Sequence, residues 1–136
     1  MAPKQKADPE VVTALTAHTT FDEHLVEQLA TIGTAVNIPE GWAIMMESTP
    51  ADSAYVVLDG SVEIRRHGSV VAHLGPGDVF GEIALVNHRL RNASAVAASP
   101  IRALRLGEDA IAALLERDQT FADILRSIAE DRLSAE

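Results

Sequence analysis

The chain has 136 residues, 47% of them apolar, a formal net charge of −9 and no cysteine. That length suits one domain with a buried core, and the lack of cysteine excludes a disulfide framework and thiolate chemistry. Eleven Lys and Arg stand against twenty Asp and Glu, which argues against a nucleic-acid-binding surface and against attraction to an anionic membrane.

The N-terminal "MAPKQKADPE" has lysines but no apolar stretch behind them, so it is not read as a secretory signal. Residues 1–19 are expected to be a tail with at most a weak helical turn in "PEVVTALTAH". From Thr20, "TFDEHLVEQLATIG" predicts an amphipathic helix over 20–33, with Thr20 and Glu23 as a capping box, Leu25, Leu29 and Ile32 at helical spacing, and Gly33 as the stop. Between 35 and 106 the texture changes to short β-type runs: "AVNI", "WAIMM", "AYVVL", "SVEIRR", "SVVAHL", "ASAVAA" and "IRALRL". Turn signals cut them apart, and Asp59-Gly60 and His67-Gly68 are read as tight hairpin turns. Strands this short and this closely spaced suggest a sandwich or barrel-like roll. After Gly107 the pattern turns helical again. "EDAIAALLER" sets Ile111, Leu114 and Leu115 on one face, and "TFADILRSIAEDRL" opens with Thr120 as N-cap. Trp42, Phe80 and Phe121 each sit on an apolar face and are expected in the core. The resulting division is a tail over 1–19 and one domain over 20–136, with closing helices over 108–134. No apolar run approaches membrane-spanning length, and a soluble, cytoplasmic protein is expected.

Chemistry concentrates in "DVFGEIALVNHRLRNASAV", residues 78–96. Gly81 stands where a short strand turns into a helical stretch, a corner at which backbone amides can approach a ligand unobstructed. Glu82 is an acceptor suited to a sugar hydroxyl. Arg91 supplies a planar fork of donors suited to phosphate oxygens. Asn92, Ala93 and Ser94 add small side chains, a hydroxyl and amides at the start of the next strand. An acceptor for a hydroxyl beside an arginine for a phosphate describes a pocket for a ribose phosphate.

"FGEIAL", Arg91 nine residues after Glu82, and then "NASAV" resemble the phosphate-binding cassette of cyclic nucleotide-binding domains. Members occur in the catabolite activator protein and in regulatory subunits of cyclic-AMP-dependent protein kinase. The resemblance runs from about Phe21 to Leu133. It implies a mainly β fold with flanking helices: an eight-stranded β-roll (a jelly-roll-like double-stranded β-helix) with an N-terminal helix and two C-terminal helices. It further implies a ligand-binding set of Gly81, Glu82, Ile83, Ala84, Arg91, Asn92, Ala93 and Ser94. Within it Gly81 and Glu82 hold the ribose 2′-hydroxyl and Arg91 grips the cyclic phosphate. Ile64, Val71, Ala72, Phe80 and Ala95 would form the pocket wall, and Arg132 could act as a lid. The chain departs from the family's habit at Asn92, where Ala, Ser or Thr is common, and at Leu90, where a proline or small residue is common.

The function expected is a stand-alone sensor of cyclic AMP, with cyclic GMP second, which is not an enzyme, takes no cofactor or metal, and has no helix-turn-helix of its own. Ligand would repack the helices after Gly107, to be read by a protein partner or a second copy, with Phe121, Ile124, Leu125 and Ile128 as the candidate contact stripe. Two other readings stay open. One is a ligand-free structural module of the same fold. The other is a cupin-type metal enzyme, which the scattered histidines disfavour because no His-x-His occurs.

Overall fold

The computed structural model describes residues 7–81 and 90–134, with side chains up to 128. Two helices, α1 (Pro9–His18) and α2 (Glu23–Ile32), precede eight strands. These are β1 (Thr34–Ile38), β2 (Ala43–Met45), β3 (Ser53–Asp59), β4 (Val62–Arg66), β5 (Ser69–Leu74), β6 (Val79–Phe80), β7 (Ser94–Ala97) and β8 (Ile101–Gly107). Helices α3 (Glu108–Arg117) and α4 (Gln119–Ser134) close the described chain. The strands form two four-stranded antiparallel sheets, ordered β1-β8-β3-β6 and β2-β7-β4-β5. This is the expected mainly β roll with flanking helices.

Both faces of the first sheet are buried, each in its own core. Along β3, Ala54, Val56 and Leu58 turn toward the helices, while Tyr55 and Val57 turn toward the second sheet. Strand β8 divides in the same way, with Leu104 and Leu106 toward the helices and Ile101 and Ala103 between the sheets. Alternation along a strand accounts for this division. It also explains why "AYVVL" is continuously apolar.

All four described helices meet the first core. The turn expected in "PEVVTALTAH" is a full ten-residue helix whose Val11 and Leu15 are buried there. Asp8 caps α1 by accepting from the Glu10 amide. Arg102 on β8 donates to Glu10, a hydrogen bond that raises the arginine's pKa and ties α1 to the sheet.

Several sequence expectations are corrected at this level. Helix α2 is capped by Asp22, whose carboxylate accepts from the Leu25 amide at 2.8 Å, and not by Thr20. Helix α4 starts from Asp118, which accepts from the Phe121 amide at 3.0 Å, and not from Thr120. In each case a carboxylate accepts the amide bond and adds a charge favourable to the helix dipole.

The two expected hairpins separate. His67 and Gly68 have φ values of 51° and 82°, and Arg66 pairs with Ser69, giving a true two-residue hairpin between β4 and β5. Asp59-Gly60 instead carries the chain from one sheet to the other, because β3 pairs with β6 and β8 while β4 pairs with β5 and β7. Trp42 is 64% exposed and outside the core, whereas Phe80 and Phe121 are buried. The stripe proposed as a contact surface is occupied within the molecule. Phe121 and Leu125 are fully buried, and Ile124 and Ile128 pack on the same cluster.

Candidate functional site

The site forms where the first sheet ends. Strand β6 is only two residues long, and its Phe80 ring stacks on Tyr55 with centroids 5.1 Å apart. The chain then turns at Gly81, whose φ of +85° lies in the left-handed region. Space gives a second reason for glycine. A Cβ at 81 would stand 2.9 Å from Arg91 Nη1 and 3.3 Å from the Ser53 carbonyl oxygen.

Arg91 enters this corner from the other side. It is 5% exposed; Nη1 donates to the Gly81 carbonyl at 2.5 Å and Nη2 to the Ser53 carbonyl at 2.6 Å. Its main chain is fixed as well. The Arg91 amide donates to the Thr49 carbonyl, and its own carbonyl accepts from the Ser48 amide. Burying a guanidinium is costly unless its donors are engaged, and carbonyl oxygens at the strand ends engage it here. These carbonyls orient the fork, and a phosphate, with a full negative charge, is the stronger acceptor for it.

Ser53 extends the site toward the C-terminal helices. It pairs with Gly107, the residue before α3, and the neighbouring Asp52 carbonyl accepts from the Glu108 amide at 3.0 Å. The Asp52 carboxylate accepts from the Ser53 hydroxyl and lies 3.6 Å from Arg105 Nη2. One end of β3 therefore carries both the arginine's anchor and the start of α3.

Of the other residues expected here, Asn92 is half-buried and its carbonyl accepts from Arg66 Nε at 3.1 Å. Ala93 is buried, and the Ser94 hydroxyl oxygen accepts the Glu47 amide at 2.8 Å, so it serves the strand edge. Of the wall residues, Phe80 and Ala95 are fully buried beneath the corner, Ile64 is half-buried, and Val71 and Ala72 are exposed on β5. A bulge lies there: Ile64 pairs with Ala72 but Arg65 with Val70, leaving Val71 as the extra residue. Glu82, Ile83 and Ala84 lie outside the described residues, as does the side chain of Arg132.

Sequence reasoning missed Ser53, Glu47 and Arg66. Ser53 acts through its carbonyl, which no residue type announces. Arg66 was readable, because positions 62, 64 and 66 share one face of β4. Among the described residues, no group of three His, Asp or Glu could hold a metal ion, and no helix is long and apolar enough to cross a membrane.

Comparison with known proteins gives a consistent result. Residues 35–118 match the family described as the cyclic nucleotide-binding domain. A CRP-like cAMP-activated global transcriptional regulator of Mycobacterium tuberculosis is 28% identical over 100 residues, covering 69% of this chain and 45% of that protein. A cAMP-dependent protein kinase regulatory subunit of Yarrowia lipolytica is 36% identical over 90 residues, covering 65% of this chain and 24% of that one. The crystal structure of the Thermus thermophilus catabolite activator protein superposes with a TM-score of 0.76 at 29% identity, covering 89% of this chain and 58% of that chain. The chain thus spans less than half the length of these two curated relatives.

Proposed function

The chain belongs to the cyclic nucleotide-binding domain family, and on that premise we propose that it binds cyclic AMP, with cyclic GMP second, as a regulatory module that does not convert its ligand. The observation that carries this reading is the buried Arg91 guanidinium held against the Gly81 corner. Ligand phosphate competes with the Gly81 and Ser53 carbonyls for that fork. Loss of the Ser53 contact loosens the strand end that carries α3, and α3 and α4 then repack. Such a shift requires the ligand to bind the two arrangements with different affinity. The apolar stripe on α4 is packed in the core, so a protein partner or second copy reads it only when α4 has moved. The working compartment in this reading is the cytoplasm.

Titration calorimetry with cyclic AMP and cyclic GMP tests the reading. Arg91→Ala and Glu82→Ala are each expected to weaken binding at least about tenfold, or about 1.4 kcal/mol. One observation favours a second reading. Arg91 already bonds two carbonyls and could serve only as a staple in a ligand-free structural module. That module gives no heat with either nucleotide, and its Arg91→Ala variant loses thermal stability alone.

A further inference from the structure

We propose that Glu47 is a positioning residue for Arg91: its carboxylate, seated on the β4–β5 hairpin, fixes the turn that holds the arginine's main chain. The inference rests on the reading that a cyclic nucleotide meets Arg91.

Arg91 lies outside the strands, so no sheet register places it. Its backbone is held instead by the turn that follows β2. The Ser48 amide donates to the Arg91 carbonyl at 2.7 Å, and the Arg91 amide donates to the Thr49 carbonyl at 2.8 Å. Thr49 closes the turn, because its amide and its hydroxyl both donate to the Met46 carbonyl. Ser48 has a φ of 67°, a left-handed conformation that a serine enters at a cost. A turn of this kind keeps its shape only where its surroundings over-determine it. Ser48 and Thr49 are exposed, so burial does not supply that hold.

Glu47 supplies it. The residue is half-buried next to Ser48 and reaches two other segments. Its amide donates to the Ser94 hydroxyl oxygen at the start of β7, at 2.8 Å. Its carboxylate takes the tip of the hairpin: Oε1 accepts from the His67 amide at 3.0 Å, and Oε2 lies 3.3 Å from His67 Nδ1. The platform beneath is well defined, since Arg66 pairs with Ser69 and the turn between them is two residues long. A carboxylate on a main-chain amide makes the stronger, charge-assisted kind of hydrogen bond. With both oxygens engaged, the Glu47 side chain has little freedom left, and the amide that carries Arg91 is on the next residue. Tolerance at the arginine is small. A Cβ at position 81 would already stand 2.9 Å from Arg91 Nη1, so a small shift of the arginine's backbone takes the fork out of its corner.

A double-mutant cycle read by calorimetry with cyclic AMP and cyclic GMP tests this, using the unaltered protein, Glu47→Ala, Arg91→Ala and the double variant. Glu47→Ala is expected to weaken both nucleotides about tenfold. Glu47→Gln keeps an acceptor for the His67 amide and is expected to lose less than about threefold. On the Arg91→Ala background, Glu47→Ala is expected to cost less than about twofold, because no arginine is left to misplace. In the ligand-free protein, Glu47→Ala should speed hydrogen exchange at the Ser48 and Arg91 amides at least about tenfold, with the β3 and β8 amides unchanged. Unchanged affinity in Glu47→Ala overturns the inference. So does an equal loss with and without Arg91, which would make Glu47 a general stabiliser, and so does unaltered exchange at Ser48 and Arg91. An unaltered protein that binds neither nucleotide overturns the reading of the site itself. Tight binding by the unaltered protein and by Glu47→Ala alike overturns the positioning role alone.

Discussion

At position 81 two demands meet on one residue. The backbone adopts a φ that side chains disfavour, and the space a Cβ needs is held by the Arg91 guanidinium. Gly81→Ala therefore acts twice. It adds backbone strain of about 1–3 kcal/mol, and it pushes the arginine out of line with its carbonyls. The expected outcome is a melting temperature lower by several degrees together with nucleotide binding weakened at least about tenfold; a variant that melts lower but binds normally would show that the arginine's alignment is not needed. Gly33 illustrates the other use of glycine. Its φ of −83° is ordinary, but a Cβ there would stand 2.6 Å from Leu104 Cδ1, so its role is close packing of α2's end on β8. Side-chain chemistry made Gly81 and Arg91 legible in the sequence, since a glycine corner and a guanidinium declare themselves by residue type. The Ser53 carbonyl was illegible for the converse reason, because every residue has one and only the fold brings this one to the arginine.

Among elements, the strands were the more legible. Short runs bounded by Gly, Pro and Asp-rich turns located seven of the eight strands within a residue or two, because alternation and breakers are local properties, while the two-residue β6 was read only as the short strand before Gly81. Pairing is not local. The Asp-Gly at 59–60 and the His-Gly at 67–68 look alike in sequence, yet one crosses between sheets and the other closes a hairpin. Helix starts misled for a simpler reason. Thr20 and Asp22 are both competent caps, as are Asp118 and Thr120, and choosing between them requires knowing where the first turn is buried. The structure makes the choice testable. Asp22→Ala and Asp118→Ala are each expected to cost about 1 kcal/mol in chemical denaturation. Thr20→Ala and Thr120→Ala, at exposed positions, are expected to stay within about 0.5 kcal/mol. Equal losses at the threonines would return the capping role to them.

At the scale of the molecule, the fold is two cores on either side of one sheet, and the sequence concealed this. A run such as "AYVVL" reads as one buried strand, and nothing in it tells that alternate residues belong to different cores. Binding at the sheet's end should stabilise the whole. Nucleotide at a hundred times its dissociation constant is expected to add about 2.7 kcal/mol and to raise the melting temperature by on the order of 10 °C. The Arg91→Ala protein at the same concentration, bound at least about tenfold more weakly, should gain no more than about 1.4 kcal/mol and at most about half that rise; an equal rise would place the nucleotide elsewhere.

The shared helical core has a further consequence. Helices α1, α2, α3 and α4 rest on the same face of one sheet, so none has a private seat. If ligand shifts the last helix as proposed, the first is expected to resettle, although a hundred residues of chain separate them. In that case helix α1 is a second place from which occupancy can be heard.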